Sequence, residues 1–444
     1  MTLLRITGLV AAAVLCVAAS LAAQAPQAEP AATQTLVFPV AAGGPGQAPA
    51  AAAECAVAFG PRVPISALAF SPDGRKLAVG GYREVLLWDL PTARLARRIG
   101  TTELTGRVGA LAFVGSGPLL AVGDGVPGTS GAVTLFDPGS GKPTATFREP
   151  PDAVHCLAAS PDGQFLAAGG AYHDVHVWDL KEAALCHTLT GHTDWVAGVA
   201  FSPDGEVLAT AGADQTLRIW KVGSWEQTLR AGNPEALHGV AFNPDGRSVV
   251  VAVGGPGEQG LRTWRTDNAR WSRAVDTAGG MPLAVLAAPK LKRLCVACSD
   301  NTVKSVTAWG GVRATLRGHT DWVYALALSP DEARLASAGA DGTVKLWNTA
   351  NGRLLATLVQ LAPGTDRWLI MTRRGFLATS APDAITWRTA DGAPLPKEDA
   401  ARLHNPQATR RILNQAGPAP QARPQGGQRR PPDKPAGATK KPAP

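Results

Sequence analysis

Residues 191–220 read GHTDWVAGVAFSPDGEVLATAGADQTLRIW, and residues 318–347 read GHTDWVYALALSPDEARLASAGADGTVKLW. Aligned without gaps, the two stretches are identical at 18 of 30 positions. Their offset of 127 residues equals three periods of about 42 residues, which is the size of one four-stranded repeat unit. The chain therefore contains an internal repeat, and it is expected to fold as a series of small, similar units.

A turn of the form Ser-Pro-Asp-Gly marks the same point in successive units. It occurs at residues 71–74, 160–163 and 202–205, and variants occur at 243–246 and 329–332. Proline presets φ, while Asp and Gly tolerate the backbone conformations of a tight turn. In each unit an apolar segment precedes the turn and a β-rich segment follows it. A third segment ends in Trp, and a fourth segment follows the third. Each unit therefore predicts four short strands. The tryptophans of the third segment are Trp88, Trp178, Trp220, Trp264 and Trp347.

Seven units can be traced, and they predict an all-β protein of the β-propeller class. Their bounds are 62–99, 107–147, 152–189, 194–229, 236–275, 281–316 and 321–358. The number of blades stays open between seven and eight. Residues 367–389 read as a shortened extra unit of three strands, and residues 54–59 align with a fourth strand, so the two ends together favour eight blades slightly. The alternative is seven blades with residues 360–390 as an appendage.

The repeat resembles the WD-repeat family over about residues 54–360. The family's naming dipeptide stands as Trp88-Asp89 and Trp178-Asp179. Gly191-His192 and Gly318-His319 stand where the family places a Gly-His pair, before the first strand of a blade. The resemblance implies two hydrogen-bonded sets of side chains that rigidify their blades. These sets are His192, Thr210, Asp214 and Trp220, and His319, Ser337, Asp341 and Trp347.

The resemblance also implies a binding rim, because two positions at the entry to each first strand commonly face the ligand in WD-repeat proteins. Trp, Tyr, Arg and Met at such positions are the types enriched at protein interfaces. The alternative for the two tryptophans is packing between blades. The predicted partner-binding rim consists of Trp195, Trp322, Tyr324, His155, His238, Arg107 and Met281.

Charge and composition separate the two ends from the body. The formal net charge is +8, and residues 401–444 carry all of it, so the body lacks the basic character of a nucleic-acid binder. Residues 1–25 combine Arg5 with a short apolar run and small residues, which predicts a cleaved signal peptide and a secreted or periplasmic member of bacterial type. No membrane span is expected after cleavage. The remaining predicted regions are an Ala/Pro/Gly linker at 26–53, the propeller at 54–390 and a disordered, basic, Pro-rich tail at 403–444.

Catalytic and metal-binding motifs are not apparent, so no cofactor is expected. Cys295-Val-Ala-Cys298 has redox or metal spacing, but it falls on a predicted strand, where residues three apart face opposite sides, which favours two core cysteines. The predicted function is a non-enzymatic, monomeric scaffold that binds a protein or peptide on one rim. One alternative is a small-ligand binder or enzyme that uses the central channel, and another is a tail that adheres to anionic surfaces. A weak metal site between His155 and His238 also stays open.

Overall fold

The predicted units fold as seven antiparallel sheets, or blades, around a central axis. The computed structural model describes residues 34–40, 53–60, 62–268, 270, 276–277, 279–307, 311–389 and 393–414. The signal-peptide prediction for residues 1–25 and most of the linker at 26–53 lie outside the described residues.

The first four blades each contain four described strands, which follow one another along the chain. Blade 1 contains β3 (Leu68–Phe70), β4 (Lys76–Gly80), β5 (Val85–Asp89) and β6 (Arg94–Ile99). Blade 2 contains β7 (Arg107–Phe113), β8 (Leu120–Val126), β9 (Ser130–Phe136) and β10 (Pro143–Phe147). Blade 3 contains β11 (Val154–Ala159), β12 (Phe165–Gly170), β13 (Val175–Asp179) and β14 (Ala184–Leu189). Blade 4 contains β15 (Val196–Phe201), β16 (Val207–Gly212), β17 (Thr216–Lys221) and β18 (Gln227–Gly232).

The last three blades complete the ring. Blade 5 contains β19 (Leu237–Phe242), β20 (Ser248–Gly254) and β21 (Gln259–Arg265), and the residues predicted for its fourth strand, 271–275, lie outside the described part. Blade 6 contains β22 (Pro282–Ala288), β23 (Arg293–Cys298), β24 (Thr302–Thr307) and β25 (Val312–Arg317). Blade 7 begins with β26 (Val323–Leu328), β27 (Arg334–Gly339), β28 (Thr343–Asn348) and β29 (Leu354–Gln360).

The repeated turn has the hydrogen bonding that its sequence predicts. The Ser71 hydroxyl donates to the Asp73 carboxylate at 2.5 Å and accepts from the Lys76 amide at 2.9 Å. The Ser160, Ser202 and Ser329 turns repeat the 2.5 Å contact between hydroxyl and carboxylate. The turn therefore joins the first and second strands of a blade by the same contacts in four of the blades.

The ring closes directly between blade 7 and blade 1. The Ile65 amide donates to the Gly339 carbonyl at 3.0 Å, and the Arg334 side chain donates to the Gly74 carbonyl at 2.9 Å. Apolar residues of both blades share one core, in which Leu68 and Leu77 of blade 1 lie with Leu346 of blade 7. The closed ring therefore has seven blades.

The prediction of an eighth blade from residues 367–389 is wrong. β30 (Trp368–Thr372) and β31 (Leu377–Thr379) extend the outer edge of blade 7, which becomes a six-stranded sheet. The Leu361 amide donates to the Arg367 carbonyl at 2.8 Å, and this tight reversal makes β30 pair with β29 instead of starting a new sheet at the axis. The chain ends still meet, because β32 (Ile385–Thr389) pairs with β2 (Ala53–Phe59), which pairs with β1 (Gln34–Val40).

Two helices follow, α1 (Lys397–Leu403) and α2 (Pro406–Asn414). Leu413 is 1% exposed and belongs to the core shared by blades 1 and 7, and the Arg410 side chain donates to the Thr92 carbonyl at 2.8 Å. The prediction of a disordered tail is therefore wrong over residues 403–414, because Leu413 supplies apolar surface that the propeller buries. Residues 415–444 lie outside the described residues.

Candidate functional site

The first strands of the seven blades neighbour one another around the axis, so their first residues meet at one end of the central channel. Six of these strands contain a register shift near that end. The residue skipped in the pairing is Gly109, His155, Ala197, His238, Leu283 or Tyr324. A β-bulge redirects a side chain and often occurs beside functional sites. The bulge therefore changes the direction of the side chain at this position relative to the regular alternation of the strand.

We call this end of the channel the channel mouth. All seven residues predicted for the binding rim lie there and are half-buried. They form three groups, which are Arg107 with Trp322 and Tyr324, His155 with Trp195, and His238 with Met281.

The first group joins three blades. The Arg107 guanidinium of blade 2 lies 6.0 Å from the ring centroid of Tyr324 in blade 7, within the range of a cation–π contact. Its Nε donates to the Ser66 hydroxyl of blade 1 at 3.1 Å. The rings of Trp322 and Tyr324 meet edge to face, with centroids 6.5 Å apart. An aromatic and cationic surface therefore spans the seam where the ring closes.

Arg107 carries a positive charge that the protein does not neutralise locally. Burial lowers its pKa, and no carboxylate forms a salt bridge with it among the described residues. A desolvated charge without a counter-ion is costly. The Arg107 guanidinium is therefore available for an acidic group of a ligand.

The second group lies next to the first. The rings of His155 and Trp195 meet edge to face, with centroids 5.8 Å apart. Burial and the nearby charge of Arg107 lower the pKa of His155 to about 4, against the opposing effect of Asp152. His155 is therefore neutral at physiological pH, and the positive charge of this part of the mouth is that of Arg107.

The third group packs over a glycine. His238 Nε2 lies 3.1 Å from the Gly254 carbonyl oxygen, and burial lowers the His238 pKa. A Cβ on Gly254 would lie 2.6 Å from the Met281 sulfur and 2.8 Å from His238 Nε2, so a larger residue there would displace these side chains. His238 and Met281 therefore both lie against Gly254. Within the described part of the chain, no group of three or more His, Cys, Asp or Glu is placed to hold a metal ion.

The two predicted hydrogen-bonded sets are buried inside blades 4 and 7. In blade 4 the Trp220 indole donates to the Thr210 hydroxyl at 3.1 Å, and that hydroxyl lies 2.8 Å from His192 Nε2. His192 Nδ1 lies 3.0 Å from the Asp214 carboxylate. Blade 7 repeats the order, because Ser337 contacts both Trp347 and His319 at 2.8 Å, and His319 contacts Asp341 at 2.8 Å.

Each set ends in a carboxylate with a low pKa. Burial by itself raises the Asp214 pKa, but hydrogen bonds from His192 and Thr216 outweigh it and hold the pKa at about 2. Asp341 likewise has a pKa of about 2 despite burial, because of His319. Each chain of donors and acceptors is therefore complete, from an indole N–H to an ionised carboxylate.

A model of the family described as "WD domain, G-beta repeat" matches residues 54–89, 141–179, 183–221 and 310–348. These matches include the third strands of blades 1, 3, 4 and 7, which carry the buried Trp88, Trp178, Trp220 and Trp347. The chain is a WD40-repeat β-propeller. Among solved structures, the WD40 propeller is similar to a chain in "Crystal Structure of Mitotic Checkpoint Complex", with a TM-score of 0.58 and 23% identity over 64% of this chain and 89% of that one. This likeness shows the fold alone.

Several plant proteins resemble the WD40 propeller in sequence. "Cell division cycle 20.1, cofactor of APC complex" from Arabidopsis thaliana is 28% identical over 291 residues, which are 64% of this chain and 54% of the relative. "B-type cell cycle switch protein ccs52B" from Medicago truncatula is 26% identical over 278 residues, 61% of this chain and 55% of the relative. The chain thus spans about half the length of these relatives.

The prediction of a secreted or periplasmic protein is wrong. The relatives that the WD40 propeller matches are eukaryotic proteins, several of them named for cell division, and none of the similarities supports a secreted member of bacterial type. The prediction rested only on the composition of residues 1–25, with Arg5 followed by an Ala-rich run. No helix in the described part of the chain is long and apolar enough to cross a membrane.

Three residues that support these sites were not assigned from the sequence. Ser66 holds Arg107 and donates its own hydroxyl to the Val108 carbonyl at 3.0 Å, but its contact crosses blades and leaves no local pattern. Thr216 donates to Asp214 at 2.9 Å, and Thr343 donates to Asp341 at 2.9 Å. The repeated Asp-x-Thr spacing is a signal that could have identified both threonines.

Cys295 and Cys298 lie in the core, as the sequence favours. Cys295 and Cys298 are free and buried in β23, and burial raises the pKa of each thiol to about 12. Burial has the same effect on Cys156, whereas Cys186 is exposed. A thiol with so high a pKa is neither a good metal ligand nor a good nucleophile.

Proposed function

We propose that the chain is a protein-interaction scaffold that holds a segment of a partner protein at the channel mouth. The observation that carries the proposal is the first group of the mouth, in which Arg107, Trp322 and Tyr324 come together from two blades across the ring seam. Large aromatic residues and Arg contribute most of the binding energy at protein interfaces, especially where water is excluded.

The chemistry of the mouth indicates the kind of segment. The rings of Trp322, Tyr324 and Trp195 offer apolar contact, and Arg107 offers a cation without a local carboxylate. A segment that places an apolar side chain beside an acidic one satisfies both features. His155 is neutral because its pKa is about 4, so it offers a hydrogen bond instead of a second charge.

The sequence relatives support a role in binding proteins. Two of them carry names that describe a cofactor of the APC complex and a cell cycle switch protein. We extend only the general role, binding to other proteins, from these relatives to this chain.

The test is affinity purification with the full chain as bait, from an extract of its own cells, at low and high salt. The Trp322→Ala/Tyr324→Ala double variant is expected to lose partners that wild type retains at high salt. The control is Leu185→Ala/Val312→Ala, which removes exposed apolar side chains from the outer strands of blades 3 and 6. Equal recovery of every partner by the mouth variant and wild type would refute the proposal. Capture that disappears with salt for both proteins would assign binding to the basic tail instead.

A further inference from the structure

The hairpin between the third and fourth strands has the same backbone conformation in five blades. One residue in each hairpin, five positions after the buried aromatic residue of the third strand, has a left-handed φ between 50° and 78°. These residues are Ala93, Gly141, Ala183, Trp225 and Gly352. Three of them carry side chains, so this turn accepts residues other than glycine in this chain.

In blade 4, Trp225 uses the turn to fill the cleft between blades 3 and 4. It is 7% exposed, and its ring lies 5.2 Å from the Phe165 ring and 5.9 Å from the His187 ring, between centroids. Phe165 is the first residue of the second strand of blade 3, and His187 lies on the fourth strand. Three large rings therefore close this cleft.

The corresponding cleft between blades 6 and 7 has none of these rings. Gly352 stands in the place of Trp225, Arg293 in that of Phe165 and Ala314 in that of His187, as the strand pairings align them. A cavity of about 260 Å³ occupies the space. We call it the Gly352 cavity, and because the strands alternate in direction it opens on the face opposite the channel mouth.

Hydrogen-bond donors dominate the polar groups of the Gly352 cavity. Arg293 and Arg313 line it, and neither guanidinium has a hydrogen bond or salt bridge to any residue that the structure describes. Asn348 and Asn351 also line it, and their side-chain oxygens already accept backbone N–H groups, which leaves their NH₂ groups to donate. Among the described residues, no Asp or Glu lines the cavity.

The Glu332 carboxylate, which follows the first strand of blade 7, is already engaged by backbone amides of blade 6. Both carboxylate oxygens of Glu332 accept backbone amides, from Lys290 and Leu291, at 3.0 Å each. Two unneutralised guanidinium groups beside an aromatic-sized space therefore favour a ligand with about two negative charges and a flat apolar body. A phosphate monoester has a charge of about −1.5 to −2 and three acceptor oxygens, and guanidinium groups bind such oxygens strongly.

We propose that the Gly352 cavity binds an aromatic phosphate, with its ring in the space that Trp225 fills in blade 4 and its phosphate between Arg293 and Arg313. The phosphate belongs either to a small molecule or to a phosphorylated tyrosine side chain. This site is independent of the channel mouth, because it lies on the opposite face and shares no residue with it.

Isothermal titration calorimetry on the full chain with phenyl phosphate tests the proposal, with phenol and inorganic phosphate as partial probes. Phenyl phosphate is expected to bind at least tenfold more tightly than either partial probe, because each offers only half of the contacts. Arg293→Gln is expected to weaken phenyl phosphate binding at least tenfold. No detectable binding of phenyl phosphate to wild type at millimolar concentration would overturn the proposal.

Filling the cavity gives a second, independent result. Gly352→Trp reproduces the residue of blade 4 and is expected to abolish binding of phenyl phosphate. Gly352→Ala is the matched control, because it adds the same backbone strain and a Cβ 3.0 Å from Leu316 Cδ2 but leaves most of the cavity empty, so binding should remain. Equal binding by wild type and a folded Gly352→Trp would overturn the proposal. If Gly352→Trp does not fold, the Arg293→Gln measurement still decides.

Two further measurements test the role of the arginines and distinguish a phosphotyrosine side chain from a small-molecule ligand. Trp225→Gly opens the cleft between blades 3 and 4, where Phe165 and Cys186 stand in the places of Arg293 and Arg313, and it is expected to create no new binding of phenyl phosphate. New binding there would contradict the role given to the arginines. A capped Ala-phosphotyrosine-Ala peptide that competes with phenyl phosphate supports the site with a protein side chain as ligand, and a peptide that fails to compete supports it with a small molecule.

Discussion

Thr210→Val removes the hydroxyl at the centre of the blade 4 hydrogen-bonded set without changing the shape of the side chain. Thr210 is fully buried, accepts from the Trp220 indole at 3.1 Å and lies 2.8 Å from His192 Nε2. The variant leaves two buried polar groups without partners. Each unsatisfied group costs about 1–3 kcal/mol, so the free energy of unfolding should fall by about 2–6 kcal/mol.

Two other blades show why the cost depends on the histidine. The buried indoles of Trp88 and Trp264 have no hydrogen-bond partner among the described residues, and Val79 and Val251 stand at the position of Thr210. These blades lack the His of blade 4, so only one polar group is left without a partner in each. In Thr210→Val, by contrast, His192 Nε2 also loses its hydrogen-bond partner, while His192 Nδ1 keeps its contact with Asp214.

Urea unfolding followed by tryptophan fluorescence measures the effect. The control is Val251→Thr in blade 5, which offers the Trp264 indole an acceptor and should change the free energy of unfolding by no more than about 1 kcal/mol. A Thr210→Val protein within about 0.5 kcal/mol of wild type, a typical change for a neutral surface substitution, would refute the claim that the set stabilises the blade.

Three further predictions concern single residues. The His155 pKa is about 4 in the folded protein and 6.5 ordinarily, so the unfolded chain takes up a proton first as pH falls, and the free energy of unfolding should drop between pH 6.5 and 4. In urea titrations at both pH values, His155→Gln should show a smaller drop than wild type. An equal drop in the two proteins would contradict this. Leu413→Ala should destabilise the protein by about 2–5 kcal/mol in thermal unfolding, because Leu413 lies in the core of blades 1 and 7. A change below about 0.5 kcal/mol would show that α2 does not stabilise the contact between these blades. Iodoacetamide should label exposed Cys186 in the native protein much faster than Cys156, since burial raises the Cys156 pKa to about 12. Equal labelling rates would contradict that raised pKa.

The repeat predicted the blades because the strand pairing that forms each blade joins segments that are close in the sequence. The Ser-Pro-Asp-Gly turns, the strands they join and the buried Trp178 and Trp347 all follow from periods of about 42 residues. The two hydrogen-bonded sets were predicted from the resemblance to the WD-repeat family, by carrying its pattern over to positions at fixed offsets from the Gly-His pair. Local sequence was sufficient wherever the contacts lie within one blade.

Contacts between distant parts of the chain could not be predicted from the repeat pattern. Residues 367–389 have the composition of a blade, but the short reversal at Leu361–Arg367 decides that they extend blade 7. The helix that contains Leu413 is short and basic, so its stability depends on a core that other blades supply. Likewise, Arg107 reaches Tyr324 only because the ring closes between blades 1 and 7.

Photo-crosslinking from the channel mouth tests the central claim most directly. Trp322→p-benzoylphenylalanine places a photoreactive group at the mouth, and Val312→p-benzoylphenylalanine places one at an exposed position on the outer strand of blade 6. After irradiation in cell extract, the protein with the group at position 322 is expected to form a covalent adduct with a partner protein, and an excess of unlabelled wild type should reduce it. Adducts formed from position 312 but not from position 322 would contradict a partner held at the channel mouth.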